Sequence, residues 1–257
     1  MIREFRAEVA YDDNLSNSDR AADQRGDFSF AGLAQLGYFG ELAHNLRLTV
    51  TADLDARAFA QYGDFNHIII GASGALRYRF GLGGMAPFLS AEANGGYANF
   101  QQNLQDGGRY RIGLRAGKRL TERLAVEGSY FFEDIGAQSV VFDRPSHVLA
   151  ASARFDVTEK TRLSLGYEFR DGEVVSYAVP PRPDIVALAN AQRTVATFGR
   201  PYVAYNLDAM IHTLGIGISQ ALTNSVALNF RYEWHYTSRA DFIYTGNVLT
   251  LSARASF

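Results

Sequence analysis

The feature that most constrains this chain is a strict alternation of apolar and polar side chains, repeated along its whole length. Clear stretches run over 46–57, 162–170 and 226–236. In the last of these, Val, Leu, Phe, Tyr, Trp and Tyr occupy the even positions, whereas Ala, Asn, Arg, Glu and His occupy the odd ones. Successive side chains of a β-strand point to opposite faces, so a period of two predicts strands.

Counting such stretches predicts about twelve antiparallel strands joined by connections that alternate in length. The predicted strands are 2–11, 27–39, 46–58, 66–80, 87–98, 108–119, 124–133, 146–156, 161–171, 206–219, 225–237 and 246–257. Short turns are predicted at 40–45, 81–86, 120–123, 157–160 and 220–224, and longer polar loops at 12–26, 98–107, 134–145 and 171–205. Connections 59–65 and 238–245 are intermediate. Short periplasmic turns alternating with longer external loops are typical of outer-membrane barrels.

The length of the strands favours a membrane barrel over a soluble β-sandwich or a lipocalin-like barrel. A tilted strand needs about 9–11 residues to cross a bilayer, whereas strands of soluble proteins average about 5–6. Aromatic residues on the apolar faces gather toward strand ends, as interfacial girdles require. We therefore predict an all-β chain: one transmembrane up-and-down antiparallel barrel over residues 1–257, in contact with the lipids of the bacterial outer membrane.

Composition removes several other classes of protein. The chain has no cysteine, which excludes disulfides and thiolate chemistry. No run approaches the roughly 18 apolar residues of a membrane helix. The formal net charge of -2 does not suggest a nucleic-acid partner. The five histidines lack the spacing of metal ligands, so neither a metal nor a cofactor is predicted. Met1 runs almost directly into strand-like sequence, so we expect any export signal to have been removed.

The first and the last predicted strand resemble the corresponding segments of a known protein family. The first predicted strand closes in Tyr11-Asp12-Asp13-Asn14, and the last alternates up to a terminal Phe257. Together they resemble the outer-membrane β-barrel porins and the barrel domains of some export proteins. The resemblance implies an outer-membrane channel, and it implies that Phe257 is a signal read by the barrel-assembly machinery. One interpretation of Asp12, Asp13 and Asn14 is a cation site, but we favour the other, a solvated turn.

The polar face of the predicted strands is rich in charges, which must be paired or wet inside a barrel. The residues expected to line the lumen are Arg47, Asp53, Asp55, Arg57, Arg77, Arg79, Glu92, Arg109, Arg111, Arg115, Glu127, Arg162, Glu168, Arg231 and Glu233. A ring of twelve strands lies between filled and open barrels, so both a water-filled and a sealed lumen stay open.

Arg77, Arg79, Arg109, Arg111 and Arg115 form one basic cluster on nearby strands. The cluster resembles the arginine-lined walls of small channels that pass acidic sugars, where guanidinium groups hold carboxylates. The alternative, which we favour, is that these arginines pair with acids of adjacent strands (Asp53, Asp55 and Glu92).

The segment 171–205 holds four of the six prolines of the chain. Residues 184–193 are predicted to form a short helix with Asp184 as its N-cap. A loop this long is uncommon unless it is functional or disordered. Two interpretations stay open: a loop that folds inward and narrows the pore, or a mobile external loop.

Enzymatic barrels offer only partial matches. The pair Asp53 and Asp55 with Asp208 and His212 superficially resembles the acidic and Asp–His pairs of omptin proteases, but the latter two residues are four apart instead of two. His147 beside Ser146 is the one local candidate for a lipid hydrolase, without a supporting motif. We therefore expect no enzyme. The expected function is a channel for passive diffusion of small hydrophilic solutes, acidic ones among them. The alternative is the barrel of an export system that moves a polysaccharide or another polymer with a periplasmic partner.

Overall fold

A computed structural model describes residues 2–257, which leaves Met1 and the prediction made for it outside the described residues. The strands are β1 (Ile2–Asp12), β2 (Asp27–Ala43), β3 (Leu46–Phe59), β4 (His67–Arg79), β5 (Phe88–Phe100), β6 (Gly107–Arg119), β7 (Leu124–Ile135), β8 (Ser146–Asp156), β9 (Thr161–Ala178), β10 (Ala191–Val195), β11 (Tyr202–Ala221), β12 (Val226–Arg239) and β13 (Phe242–Ser256). One short helix, α1 (Pro183–Val186), and three 3-10 turns (Gly63–Phe65, Asn103–Gln105 and Val140–Phe142) lie in the connections. None of the helices among residues 2–257 is long and apolar enough to cross a membrane.

Twelve of the strands close into an antiparallel barrel, which confirms the predicted fold class. β1 to β9 pair in sequence order, as do β11 to β13. β13 pairs with β1, and β9 pairs with β11 to complete the ring. The remaining strand, β10, lies outside this ring and pairs only with the first residues of β11. The outer connections are named L1 (13–26), L2 (60–66), L3 (101–106), L4 (136–145), L5 (179–201) and L6 (240–241).

The predicted strand bounds are wrong around L5 and L6. β9 continues to Ala178 and β11 begins at Tyr202, so much of the predicted loop 171–205 is a long hairpin that stands beyond the barrel wall. The two extensions are covered on both faces: Val174 and Val175, which point to opposite sides, are both buried. A strand buried on both faces loses its alternation, which is why the sequence pattern stopped at residue 171. β12 and β13 likewise extend until only two residues, 240 and 241, separate them.

The predicted helix over 184–193 is also wrong. Only the single turn α1 forms, and residues 191–195 pair with β11 as β10. Asp184 lies inside the turn, and Arg182 occupies the cap position. A short isolated helix is only marginally stable in water. Residues 191–195 form backbone hydrogen bonds with β11 instead.

The outer surface of the barrel is apolar and the inner surface is polar. The exposed apolar residues that face outward include Phe5, Val9, Leu36, Val50, Leu54, Ile70, Ile112, Leu114, Leu149, Leu163, Leu165, Ile216, Ile218, Leu228, Phe230, Leu249 and Leu251. An apolar surface of this size would be unfavourable in water, whereas it is matched by the hydrocarbon region of a bilayer. The exterior is therefore that of an outer-membrane barrel.

Three of the inner turns contain the same hydrogen-bonded arrangement around a threonine. In each, a threonine follows an apolar residue, and its Oγ1 accepts the backbone N–H groups two and three residues later. The distances to Thr121 Oγ1 are 3.2 and 2.9 Å, and equivalent bonds form at Thr158 and Thr223. Such threonine turns satisfy backbone donors that the sheet no longer pairs.

Candidate functional site

The charged residues that were expected to line the lumen lie on the strand face opposite the apolar exterior. Arg111 of β6, for example, alternates with Tyr110 and Ile112, whose side chains are exposed on the lipid-facing side. The same alternation holds for Arg47, Asp53, Asp55, Arg57, Arg77, Arg79, Glu92, Arg109, Arg115, Glu127, Arg162, Glu168, Arg231 and Glu233. These side chains define the lumen surface, which is the candidate functional site.

Much of this surface is organised as two ladders of alternating charge. In the first, Glu92 of β5 accepts from Arg115 at 3.0 Å, Arg115 lies 3.6 Å from Glu127 of β7, and Glu127 also binds Arg154 of β8. In the second, Glu133 of β7 bridges two arginines. Its carboxylate lies 2.7 Å from Arg111 and 2.6 Å from Arg170. Each ladder crosses several strands, so these arginines are held in fixed positions along the wall.

Smaller pairs occupy the rest of the wall. Arg57 binds Glu8 at 2.9 Å, Arg231 binds Glu233 at 2.8 Å, and Arg162 binds Asp156 at 2.6 Å. Glu168 lies 3.4 Å from Arg170, and Arg47 lies 3.5 Å from Glu41 at the inner rim. Ion pairs of this kind neutralise charge locally, so the charge that is left over along the wall belongs to the residues outside these pairs.

The basic cluster is only partly neutralised. Arg111 and Arg115 belong to the ladders, and Arg77 stacks on the ring of Phe88, 4.2 Å from its centroid. Within residues 2–257, Arg79 and Arg109 have no ion-pair partner, and Nε of Arg111 is buried without a hydrogen bond.

The acids that were expected to neutralise this cluster lie apart from it. Asp53 accepts hydrogen bonds from Gln35, Thr51 and Ser73 instead of from an arginine. Asp55 has neither a hydrogen bond nor an ion pair within the described chain. The pairing that we favoured from the sequence therefore forms at Glu92 but not at Asp53 or Asp55. β4 and β5 separate β3 from β6 in the strand order, and the β3–β4 register places Arg77 opposite Arg47 instead of opposite an acid.

A cavity of about 400 Å³ opens in the lumen between these two groups. Asp53 and Asp55 lie on its β3 side, and Arg109, Arg111 and Glu133 on its β6 and β7 side. Its floor is the β4–β5 pair, which contributes mainly small residues: Gly71, Ser73, Asn94 and Gly96. The volume is in the range of small-molecule sites, about 300–1,000 Å³.

Two glycines, Gly71 and Gly96, face each other across the β4–β5 pair and keep side chains out of the floor of the cavity. A Cβ at Gly71 would lie 2.7 Å from the backbone oxygen of Gly95, and one at Gly96 would lie 2.7 Å from that of Ile70. No side chain fits at either position without moving the backbone. The small inward residues of β4 and β5 were a signal in the sequence, and our reading of the lumen from its charges overlooked it.

The outer mouth of the barrel is covered by a cap built from the outer connections. One buried cluster contains Phe65 and Tyr62 of L2, Leu104 of L3, Val141 and Phe142 of L4, Tyr177 of β9, Val195 of β10, Phe198 of L5, Tyr202 of β11 and Leu15 of L1. The β3–β4 and β9–β11 hairpins stand six places apart in the ring of twelve, on opposite sides of the mouth. Their rings nevertheless touch, with centroids 5.9 Å apart for Phe65 and Tyr177 and 4.8 Å apart for Tyr62 and Phe198. The cap therefore spans the full diameter of the mouth.

A buried arginine ties L5 to L1. The side chain of Arg182 has no exposed surface. Its guanidinium donates to both oxygens of Asp19 at 2.9 and 2.8 Å and to both oxygens of Asp184 at 2.8–3.1 Å. We call Arg182, Asp19 and Asp184 the latch. The latch saturates one guanidinium with two carboxylates, which is the strongest geometry available to this pair of groups.

The latch keeps its charges over a wide pH range. The hydrogen bond from Arg182 lowers the pKa of Asp184 to about 2, against a smaller opposing effect of burial. Burial alone would lower the pKa of Arg182, but the bonds to Asp184 and Asp19 raise it. The contribution of a carboxylate with a lowered pKa is present above its unfolded pKa and is lost as the pH falls toward its folded value. The pairing of Arg182 with Asp184 therefore weakens only in strong acid.

The motif after β1 also holds a loop in place. Asp13 accepts from the backbone N–H and the side-chain amide of Asn247, both at 2.7 Å. Asn14, which is 4 % exposed, donates to the backbone oxygens of Ser18 and Thr245 at 3.0 and 2.9 Å. These bonds fasten L1 to β13. Among residues 2–257 no group of His, Asp and Glu is arranged to hold a metal ion.

The residues considered for catalysis do not come together. His147 faces the lipid and bonds to Tyr130 at 2.8 Å, whereas Ser146 points to the lumen and bonds to Arg170. His212 is likewise on the outer face, 2.8 Å from the hydroxyl of Tyr167, and Asp208 lies 3.6 Å from Arg239. Both histidines sit among aromatic rings of the outward-facing belt.

The barrel is similar in fold to several solved outer-membrane proteins. An outer-membrane channel from Pseudomonas putida F1 aligns with a TM-score of 0.62 and 16% identity, over 100% of this chain and 96% of that one. The NanC porin aligns with a TM-score of 0.53 and 8% identity, over 98% and 100% of the two chains. Outer membrane phospholipase A from Escherichia coli aligns with a TM-score of 0.53 and 9% identity, over 99% and 92%. No protein-family model matches the sequence, and a search of curated proteins finds no match.

At these identities the similarity concerns the fold, which is shared by channels and by an enzyme. The fold and the apolar exterior together place the chain in the bacterial outer membrane. What this barrel does there has to be argued from its own lumen and cap.

Proposed function

We propose that this protein is an outer-membrane channel of the porin type for small hydrophilic solutes, acidic ones among them, and that its outer mouth is gated by the cap. The observation that carries the proposal is the polar cavity inside the lumen, bordered by charged groups that the wall does not neutralise. A barrel with a purely structural role gains nothing from such a space, since unpaired charges in a closed interior are costly.

The unpaired arginines support the passage of acidic solutes. Arg109 has no acidic partner within residues 2–257 and lies at the cavity, and Arg79 is exposed toward the inner rim. Guanidinium groups along a path give a carboxylate successive partners of similar strength, so the solute is attracted without being trapped. The ladders hold the neighbouring arginines in place and keep the wall rigid.

The cap makes this a gated channel in our proposal. Aromatic residues from opposite sides of the ring meet over the mouth, so a solute can leave outward only when L5 is displaced. The latch is the polar part of this closure and the aromatic cluster is the apolar part.

The test is single-channel conductance of the purified protein in a planar bilayer, compared with a variant in which 180–200 is replaced by a short Gly-Ser linker. That exchange removes Arg182, Phe198 and β10 but keeps β9 and β11 paired. We expect low or intermittent conductance from the wild type and a larger, steady conductance from the variant. The reversal potential in a salt gradient should show a preference for anions.

The matched control is a similar exchange at the inner turn 81–86, far from the cap, which should leave the conductance at the wild-type level. If neither the wild type nor the L5 variant conducts, although circular dichroism shows a folded barrel, the proposal of a channel is wrong. The charged wall would then be a sealed interior, and the function would lie on the outer surface of the cap.

A further inference from the structure

The charges around the lumen cavity are divided by sign across its floor. The β3 wall contributes Asp53 and Asp55. The opposite wall, of β6 and β7, contributes Arg109, Arg111 and Glu133, and because Glu133 pairs with Arg111 at 2.7 Å, the charge left over there is that of Arg109. β4 and β5 lie between β3 and β6, so the two walls are three strand spacings apart, about 14 Å along the sheet. The small residues of the floor leave the space between the two charged walls open.

The groups that face this space have unused hydrogen-bonding capacity of both kinds. Asp55 accepts no hydrogen bond within residues 2–257, whereas Asp53 is already occupied by three donors. On the other side Arg109 donates no hydrogen bond within residues 2–257. An unmet acceptor and an unmet donor group thus stand on opposite walls of one cavity. Leaving such groups unpaired is costly, and a ligand that satisfies both recovers that cost.

A solute of a single sign satisfies only half of the cavity. An anion would pair with Arg109 but would be repelled by Asp53 and Asp55. A cation would meet the opposite arrangement. A molecule with a carboxylate at one end and an ammonium group at the other meets a complementary charge at each end.

We propose that the cavity is a binding site for zwitterionic solutes, with the carboxylate at Arg109, beside the Arg111–Glu133 pair, and the ammonium group at Asp55. The proposal names the solute class of the channel and rests on the proposed function for its biological meaning. Its geometry depends only on the lumen wall. The apolar residues Leu33, Ile69 and Ile135 at the edge of the cavity would contact the carbon chain between the two charges.

The experiment is a calorimetric titration of the full-length barrel with β-alanine, γ-aminobutyrate and ε-aminocaproate. Each is compared with the carboxylic acid and the amine of the same chain length. Both the wild type and the L5 variant are titrated, so that a closed cap cannot hide the site. We expect at least one of the amino acids to bind about tenfold more tightly than both of its single-charge analogues.

Two substitutions give opposite signatures. Asp55→Asn should abolish the advantage of the zwitterion over the matched carboxylic acid, because the ammonium group loses its partner. Arg109→Gln should weaken both carboxylate-bearing ligands by about tenfold and spare the amine. The controls Asp241→Asn in L6 and Arg193→Gln on β10 are exposed and outside the lumen, so both should bind as the wild type does.

If no amino acid outbinds its analogues in either form, or if the two lumen substitutions leave the preference unchanged, the proposal is wrong. A conducting barrel without this preference would overturn the zwitterion site alone. A silent barrel that still shows the preference and both signatures would overturn the channel and leave the site standing.

Discussion

At the scale of single residues, the position of Arg182 shows how much closure depends on one cation. Its side chain is fully buried, and four hydrogen-bonding carboxylate oxygens surround it. A buried charge is tolerated only when it is paired in this way, and removing one partner leaves the other uncompensated. The two acids come from different loops, so the pairing fixes the distance between L1 and L5.

Arg182→Met should destabilise the closed cap by about 1–3 kcal/mol. Asp19 and Asp184 then lose the hydrogen bonds of Arg182, while the half-exposed Asp184 keeps Arg20 at 3.7 Å. The barrel below should be unaffected. We expect faster cleavage of L5 by trypsin at Arg193 or Arg200 and a larger conductance. The control is Arg193→Met, on the exposed side of β10, scored at Arg200. Equal cleavage of wild type and Arg182→Met would show that the aromatic cluster closes the mouth alone.

At this scale the sequence was sufficient to assign each side chain to the inner or the outer face of the barrel. It was not sufficient to assign the ion-pair partner of each charged residue. Alternation places Arg109, Arg111 and Asp55 on the inner face without any knowledge of the fold. Which acid meets which arginine depends on the register between strands, and a shift of one residue changes every contact. Arg182 could not be recognised, because nothing local marks an arginine in a proline-rich loop as buried.

At the scale of elements, the repeated threonine turns explain how the barrel reverses direction in so few residues. In each turn the hydroxyl replaces the missing strand partner of two consecutive N–H groups. The apolar residue before each threonine (Leu120, Val157 or Leu222) is exposed at the rim. The inner rim is thus apolar on its outside and tightly hydrogen-bonded within.

Thr121→Ala should lower the free energy of unfolding by about 1 kcal/mol, the net value of hydrogen bonds that water can partly replace. Thr121→Ser keeps the hydroxyl and should be close to the wild type. The measurement is reversible urea unfolding in lipid vesicles, followed by tryptophan fluorescence of Trp234. Combining it with changes at Thr158 and Thr223 should be additive, since the turns are far apart. Equal loss from the serine and alanine variants would exclude the hydroxyl as the cause.

Elements that cross the membrane were predictable, and the elements above it were not. The twelve wall strands have one face in lipid and one in the lumen, so their sequences alternate. The extensions of β9 and β11 pack on both faces, with Tyr177 and Tyr202 on one side and Tyr205 and Leu207 on the other. Their sequence is therefore apolar without the period of two that predicts a strand. For this reason the sequence pattern indicates a loop there.

At the scale of the whole molecule, β13 closes the ring and is followed by a single exposed side chain, Phe257. Phe257 is 78 % exposed, and its backbone N–H donates to Arg3 at 3.0 Å. The preceding residues of β13 close the ring against β1. That Phe257 is read by the assembly machinery stays a prediction.

Deleting Phe257 should strongly reduce insertion into the outer membrane of living cells but leave refolding of the purified chain into detergent almost unchanged. The two measurements are surface labelling of an outer loop and circular dichroism after refolding. Leu82→Ala, equally exposed at an inner turn, is the control and should affect neither. An equal loss in both measurements would indicate a structural role for Phe257 instead of a signal.

The composition of the cap has a consequence for the closure of the mouth. Its core draws on chain segments that extend from Leu15 to Ala204, and none of those segments buries its aromatic residues alone. The aromatic contacts across the mouth join the β3–β4 hairpin to the β9–β11 hairpin on the opposite side of the ring. Closure of the mouth is therefore a property of the complete ring, because no single loop brings both halves of the aromatic cluster.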